Sequence, residues 1–290
     1  MRDVHPLPGA DHLVDGVRLR VVQHGAGPGL PLLLLHGIPT TSYLWRDVQR
    51  DLEHRHPTYA VDLLGLGASE RPPGGRYDLA NQAELLVGLL DQLGLDRVAI
   101  AGHDVGGAAA VHLCALAPDR VAALVLVDTP LHADAWPVAA ISSLMAPLLG
   151  ETQTTLLRLV PSLGRHYLGM QLGRGLAAGS VDGPVLDRYA ASLLSRDGTR
   201  GLLCLVRALD PPSTEAALRL VTVDAPPTLV LWGDEDAWHG PAYGRRLAAD
   251  IPGSCWVPVP DAGHLLPEDR PERVAEEIAG FLAEAVARTA

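Results

Sequence analysis

Val98-Ala99-Ile100-Ala101-Gly102-His103-Asp104-Val105-Gly106-Gly107-Ala108-Ala109-Ala110 reads as a short apolar strand, a sharp turn flanked by glycines, and a helix of small residues. A strand–turn–helix carrying G-x-D-x-G presents the residue at its tip as a nucleophile, on an exposed point of backbone strain. The glycines have a mechanical reason, because the turn needs unusual dihedrals and the helix must approach the strand closely. At the tip stands Asp104. Its carboxylate is ionised at neutral pH and needs no base to activate it. Displacement at an sp³ carbon, by opening an epoxide or expelling a halide, leaves an ordinary ester that water can hydrolyse. Attack on an ester or amide would instead give a mixed anhydride, which is poorer chemistry. An aspartate in this turn therefore points to epoxides or alkyl halides.

Outward from the turn, the same alternation recurs. Val17 to Gln23, Leu32 to Leu35, Thr58 to Asp62, Val121 to Val127, Thr228 to Trp232 and Cys255 to Val259 read as strands. Asp78 to Leu93 and Pro271 to Ala287 carry helical periodicity, the first stopped by Gly94 and the second opened by proline. Strands alternating with helices predict βαβ units and a mostly parallel α/β sheet. Between Leu131 and about Leu220 the alternation breaks into helical pieces punctuated by Pro137, Pro147, Pro161, Gly183-Pro184 and Pro211-Pro212. This interval is expected to be a helical lid (131–220), inserted between the two parts of a core domain (1–130 and 221–290).

The chain has 290 residues, 48% of them hydrophobic and 20% charged, which suits one large domain with an insertion. A net charge of −11 argues against nucleic acid and anionic membranes as partners. Every basic residue other than histidine is arginine, and a single phenylalanine makes the core aliphatic. Cys114, Cys204 and Cys255 are widely spaced and odd in number, forming neither a disulfide framework nor a metal pattern. No apolar run is long enough to cross a bilayer, and the N-terminus has no signal-peptide h-region. The expectation is a cytoplasmic protein without metal or cofactor, acting on a small apolar molecule, with a homodimer left open.

An ester on Asp104 needs a base to activate water and an acid to orient that base. His264 lies in Asp261-Ala262-Gly263-His264, after the last strand. Asp236 lies in Trp232-Gly233-Asp234-Glu235-Asp236, just past a strand end; spacing favours it over Asp234, and Asp128 is a further alternative. Both stand where parallel sheets place catalytic groups.

These motifs, with His36-Gly37-Ile38-Pro39, resemble the α/β-hydrolase superfamily from about residue 16 onward, specifically its branch of epoxide hydrolases and haloalkane dehalogenases. The resemblance implies an oxyanion hole of the Ile38 and Val105 amides; Pro39 has no N–H to offer. It also implies two departures. Haloalkane dehalogenases usually hold the leaving halide with asparagine at the position of Ile38 and tryptophan at that of Val105, and neither is present. Epoxide hydrolases usually support the oxirane oxygen with two lid tyrosines, one in a tryptophan-tyrosine-arginine run. The comparable run here is Leu205-Val206-Arg207. Tyr167 and Tyr189 remain as lid donors, with Trp136 as another. For His36 and His103 the expected role is locking loops. Trp238 and Tyr243 are expected to pack, with pocket lining as the alternative, and Glu268 has no assigned chemistry. Epoxide hydrolysis through an Asp104 ester is thus the leading expectation. Alkyl halide, ester or lactone hydrolysis, including general-base catalysis in a tailoring enzyme, and a non-catalytic ligand receptor are the alternatives.

Overall fold

The computed structural model describes residues 8–136 and 139–289. Eight strands build one sheet: β1 (Ala10–Val14), β2 (Val17–His24), β3 (Leu32–Leu35), β4 (Thr58–Val61), β5 (Val98–His103), β6 (Val121–Val127), β7 (Thr228–Gly233) and β8 (Cys255–Val259). Their spatial order is β1-β2-β4-β3-β5-β6-β7-β8. The first two pairings, β1 with β2 and β2 with β4, are antiparallel, and every later one is parallel.

The central strands are near-continuous apolar runs because both faces are covered. On one face Leu33, Leu35 and Ile100 pack with α2 (Leu79–Gln92) and α3 (Val105–Leu116). On the other, Leu32, Leu34, Ala99 and Ala101 share a core with Trp45, with Val48 of α1 (Arg46–Leu52), and with Ile278 and Leu282 of α12 (Pro271–Thr289). Strand β1 has no counterpart among the strands expected from the sequence. Its local signal is Asp15-Gly16, whose φ angles of 49° and 79° form the two-residue hairpin turn that aspartate and glycine favour.

Between β6 and β7 the described residues form six α-helices: α4 (Ala139–Met145), α5 (Pro147–Leu159), α6 (Pro161–Arg174), α7 (Gly183–Leu193), α8 (Arg196–Ala208) and α9 (Pro211–Val221). Pro147, Pro161, Pro184 and Pro211 occupy first-turn positions, so the interruptions seen in sequence are helix starts. Pro137 lies outside the described residues. Helix α9 packs on α3. The remaining α-helices among the described residues are α10 (Pro241–Asp250) and the short α11 (Leu266–Asp269). None of the described helices is long and apolar enough to cross a membrane.

Candidate active site

Asp104 follows β5 with φ 50° and ψ −122°, outside the regions an L-residue prefers, at an expense of order ~1–3 kcal/mol. The turn tolerates no bulk beside it. A Cβ on Gly106 would lie 2.4 Å from the Leu35 carbonyl oxygen, and one on Gly102 would lie 2.5 Å from Gly107 Cα. Asp104 lines a cavity, and its two carboxylate oxygens have different surroundings. Oδ2 accepts the Ile38 amide at 3.1 Å, and the Val105 amide also bonds the carboxylate. Oδ1 stands 3.9 Å from His264 Nε2. Both donors expected of an oxyanion hole therefore hold the carboxylate itself.

Asp236 and His264 arrive from the ends of β7 and β8. His264 Nδ1 donates to Asp236 Oδ2 at 2.9 Å, and Asp236 Oδ1 accepts the amides of Trp238 and His239 at 2.8 and 2.9 Å. Asp234, by contrast, is exposed. The Glu235 amide donates to the Ala262 carbonyl at 2.9 Å, joining the acid and histidine loops. His103 Nε2 bonds the His264 carbonyl at 2.8 Å, tying the Asp104 turn to the histidine loop. His36 donates from Nδ1 to the Gly37 carbonyl and accepts the Leu63 amide at Nε2. Both histidines lock loops.

All three charged groups are nearly inaccessible, Asp104 at 3%, Asp236 at 5% and His264 at 0% exposed. Burial pushes the Asp104 carboxyl up, against the charge of His264 and the two amides. For Asp236 burial acts the same way, but the charge and hydrogen bond of His264 outweigh it and hold the acid below its usual range. Burial alone would lower His264; the charge and hydrogen bond of Asp236, with Asp104 and Asp128 adding to them, push it up to about 9. His264 thus rests as an imidazolium between carboxylates. Burial and that imidazolium push its neighbours the other way, His103 down to about 3 and His239 to about 4.

Asp128 lies behind this group, at the end of β6. Its Oδ1 accepts the Gly233 amide at 2.8 Å, and its buried Oδ2 has no partner among the described residues. Burial first, and the Asp236 charge second, drive its carboxyl well above the usual range. A group raised in the folded state contributes stability below its unfolded pKa and loses it as pH rises toward the folded one. Asp128→Asn keeps the acceptor and removes the titration. Its melting temperature relative to the parent should therefore climb as pH rises from about 5 to 8. Turnover should stay within about threefold, equivalent to less than ~1 kcal/mol. A variant that loses most of its activity would mean that an ionised Asp128 is needed.

Above Asp104 opens a cavity with about 850 Å³ of unfilled space, its open mouth included. Leu144, Leu157, Leu168, Leu193, Leu194 and Leu202, all from the inserted segment, line it. Tyr167 lines it too, its hydroxyl accepting Gln153 Nε2 at 3.0 Å. Trp136 presents an apolar ring, because its indole N–H already bonds the Pro130 carbonyl at 3.0 Å; it is not the free donor expected. Tyr189 is a further correction. Its fully buried hydroxyl donates to Glu268 Oε1 at 2.5 Å, and Tyr189 is not among the residues lining the cavity. Trp238 and His239 do line the cavity, and the histidine was not singled out in the sequence.

The arrangement can deliver a carboxylate oxygen to a substrate carbon and, later, a proton acceptor to water near Asp104. The sequence profile described as alpha/beta hydrolase fold matches residues 31–271. Haloalkane dehalogenase 2 of Mycobacterium tuberculosis is 33% identical over 270 residues, covering 90% of each chain. Epoxide hydrolase 2 of Caenorhabditis elegans is 26% identical over 283 residues, 92% of this chain and 78% of that one. Among solved structures, haloalkane dehalogenase DbeA from Bradyrhizobium elkani superposes with a TM-score of 0.83. It covers 98% of this chain and 100% of its own at 23% identity, a likeness of fold. The chain belongs to the α/β-hydrolase family, among relatives that include haloalkane dehalogenases and epoxide hydrolases, and it is a hydrolase.

Proposed function

We propose that the protein hydrolyses an epoxide through an ester on Asp104. The observation carrying this reading is the division of labour between the two carboxylate oxygens. Oδ2, held by the Ile38 amide, becomes the ester carbonyl oxygen, while Oδ1, on the His264 side, is left to attack carbon. Attack forms the Oδ1–carbon bond as the carbon–oxygen bond of the ring breaks, and its electron pair goes to an alkoxide beside Tyr167. Water then adds to Cγ of the ester as His264 takes its proton. The oxyanion that forms is held by the Ile38 amide, with the Val105 amide also bonding the carboxyl group, and collapse returns the proton to the departing alcohol. Water and epoxide together give the diol.

Proton accounting favours an epoxide over a halide. When Asp104 becomes a neutral ester, one of the charges that keeps His264 protonated disappears. The proton that His264 then releases is the one the alkoxide requires, whereas a halide requires none. Ile38 and Val105 also supply no side-chain donors for a halide. The alkyl halide reading has one observation in its favour, the 33% identity to Haloalkane dehalogenase 2, and it uses the same ester. Purified protein offered matched epoxides, alkyl halides and activated esters tests both. Diol formation should exceed halide release, and a single turnover in ¹⁸O-water should label the Asp104 carboxylate. Faster halide release would exchange epoxide for halide. Label found only in product would overturn the ester.

A further inference from the structure

Breaking a carbon–oxygen or carbon–halogen bond places charge on the departing atom, and in an apolar cavity only donors without other partners can meet it. Most donors here are engaged. The amides of Ile38 and Val105 hold Asp104, Trp136 bonds Pro130, and Tyr189 bonds Glu268. Thr154 and Thr199 return their hydroxyls to carbonyls of their own helices or caps. Trp238 differs. It lines the cavity, and its buried indole N–H has no partner among the described residues.

The site itself positions this indole. The Trp238 amide donates to Asp236 Oδ1 at 2.8 Å, while Oδ2 of that carboxylate holds His264. The indole ring then lies against His264, centroids 4.7 Å apart, beside the imidazole that faces Asp104 Oδ1. Tyr167 keeps an uncommitted hydroxyl proton, since it accepts from Gln153, and supports the alkoxide from the side of the inserted helices; Trp238 is the donor on the side of His264. Two other neighbours are weaker candidates. His239 is farther from His264, at 5.6 Å, and a neutral imidazole carries an acceptor as well as a donor. Gln171 lines the same cavity, but its buried unpaired atom is Oε1, an acceptor. An indole N–H can only donate.

We infer that the Trp238 indole N–H is a catalytic donor to the departing oxygen or halide while the Asp104 ester forms, a role that rests on the covalent reading above. Trp238 keeps its proton and shares it as a hydrogen bond. The electron pair of the breaking bond goes to the leaving atom, as before. This places a leaving-group donor in the acid loop, compensating for the side chains absent at Ile38 and Val105.

The test uses full-length protein carrying His264→Gln, with and without Trp238→Phe, mixed with an epoxide and with a matched alkyl chloride, bromide and iodide. Mass spectrometry of the Asp104 peptide then follows adduct formation in time. Trp238→Phe keeps an aromatic ring against position 264 and removes only the donor. It should slow adduct formation by about 10²-fold. The loss should be largest for the leaving groups that most need support, and His239→Phe and Gln171→Leu should change the rate by less than about threefold. Equal adduct rates with and without Trp238→Phe, or a larger loss in either neighbour variant, would overturn the role of Trp238. Absence of any adduct with Trp238 intact would instead overturn the ester reading, so the two failures are distinct. Circular dichroism of each variant separates a lost donor from a lost fold.

Discussion

His264→Gln should trap the enzyme after its first step: substrate stays bonded to Asp104, and multiple turnover falls by about 10²–10⁴-fold, the usual contribution of a general base. Alkylation needs the carboxylate of Asp104; with a neutral amide at 264 the alkoxide takes its proton from water, so this step slows less than hydrolysis, which loses its base. Hydrolysis needs a proton acceptor near Cγ, and glutamine is not one. Asp104→Asn should fail at the earlier step while still binding ligand, because the amide fills the same space without a nucleophilic carboxylate. An adduct of substrate mass on the Asp104 peptide in the His264 variant, absent from the Asp104 variant, is the expected pair of results. Adduct in neither, with normal ligand binding in both, would move the protein toward the receptor reading.

The pH dependence follows from the same charges. In the free enzyme His264 is raised to about 9, so its pairing stabilises the fold fully below pH 6.5 and is lost as pH rises through about 9. Catalysis runs the other way, since the base must be neutral. Esterification removes the Asp104 charge and leaves Asp236 as the principal partner of His264. Single-turnover hydrolysis should therefore rise with pH and level off at an apparent pKa below that of His264 in the free protein. Rapid-quench rates across this range, beside an NMR titration of His264 in the resting enzyme, give the two values to compare. Identical values would mean that Asp104 does not influence His264.

What the sequence revealed of this site follows the distance over which each signal acts. Asp104 and its glycines sit in one short turn, and their reason is local backbone geometry, so pattern alone places them. Asp236 and His264 each follow a strand end, and the parallel sheet brings such ends together. The donors in the cavity obey no local rule. Tyr189 and Tyr167 both lie on helices of the inserted segment, and only packing decides which of them faces the cavity. Trp136 and Trp238 are alike as residue types; what separates them is one carbonyl, that of Pro130, reaching one of the two indoles. No local pattern reveals the place of Tyr189, because its partner Glu268 is 79 positions away, and Arg46, the other partner of that glutamate, is 222 positions from it.

That Arg46–Glu268–Tyr189 clasp carries the largest expected effect on stability. Arg46 donates to Oε1 and Oε2 of Glu268 at 2.7 and 2.8 Å, a bidentate pair whose side chains are only 8% and 9% exposed. The arginine also stacks 4.2 Å from the centroid of Tyr43, whose ring meets that of Tyr189 edge-on. Tyr189 belongs to α7 and Glu268 to α11, so the clasp fastens the inserted helices to the segment that follows His264. Glu268→Ala leaves a buried guanidinium without its bidentate partner, holding only the Tyr43 carbonyl at 3.0 Å and a longer contact with Asp47 at 3.3 Å. Breaking a buried pair from one side costs about 3–5 kcal/mol. Arg46→Met with Glu268→Leu removes both charges together and should recover much of that loss, because no charge stays unpaired. Tyr189→Phe forfeits one hydrogen bond to a charged group, about 1.5–3 kcal/mol, and leaves Asp104, Asp236 and His264 untouched. Denaturant melts of the four proteins should rank parent, then Tyr189→Phe and the double variant, then Glu268→Ala. A Glu268→Ala protein as stable as its parent would mean that the clasp does not hold the inserted helices to the core.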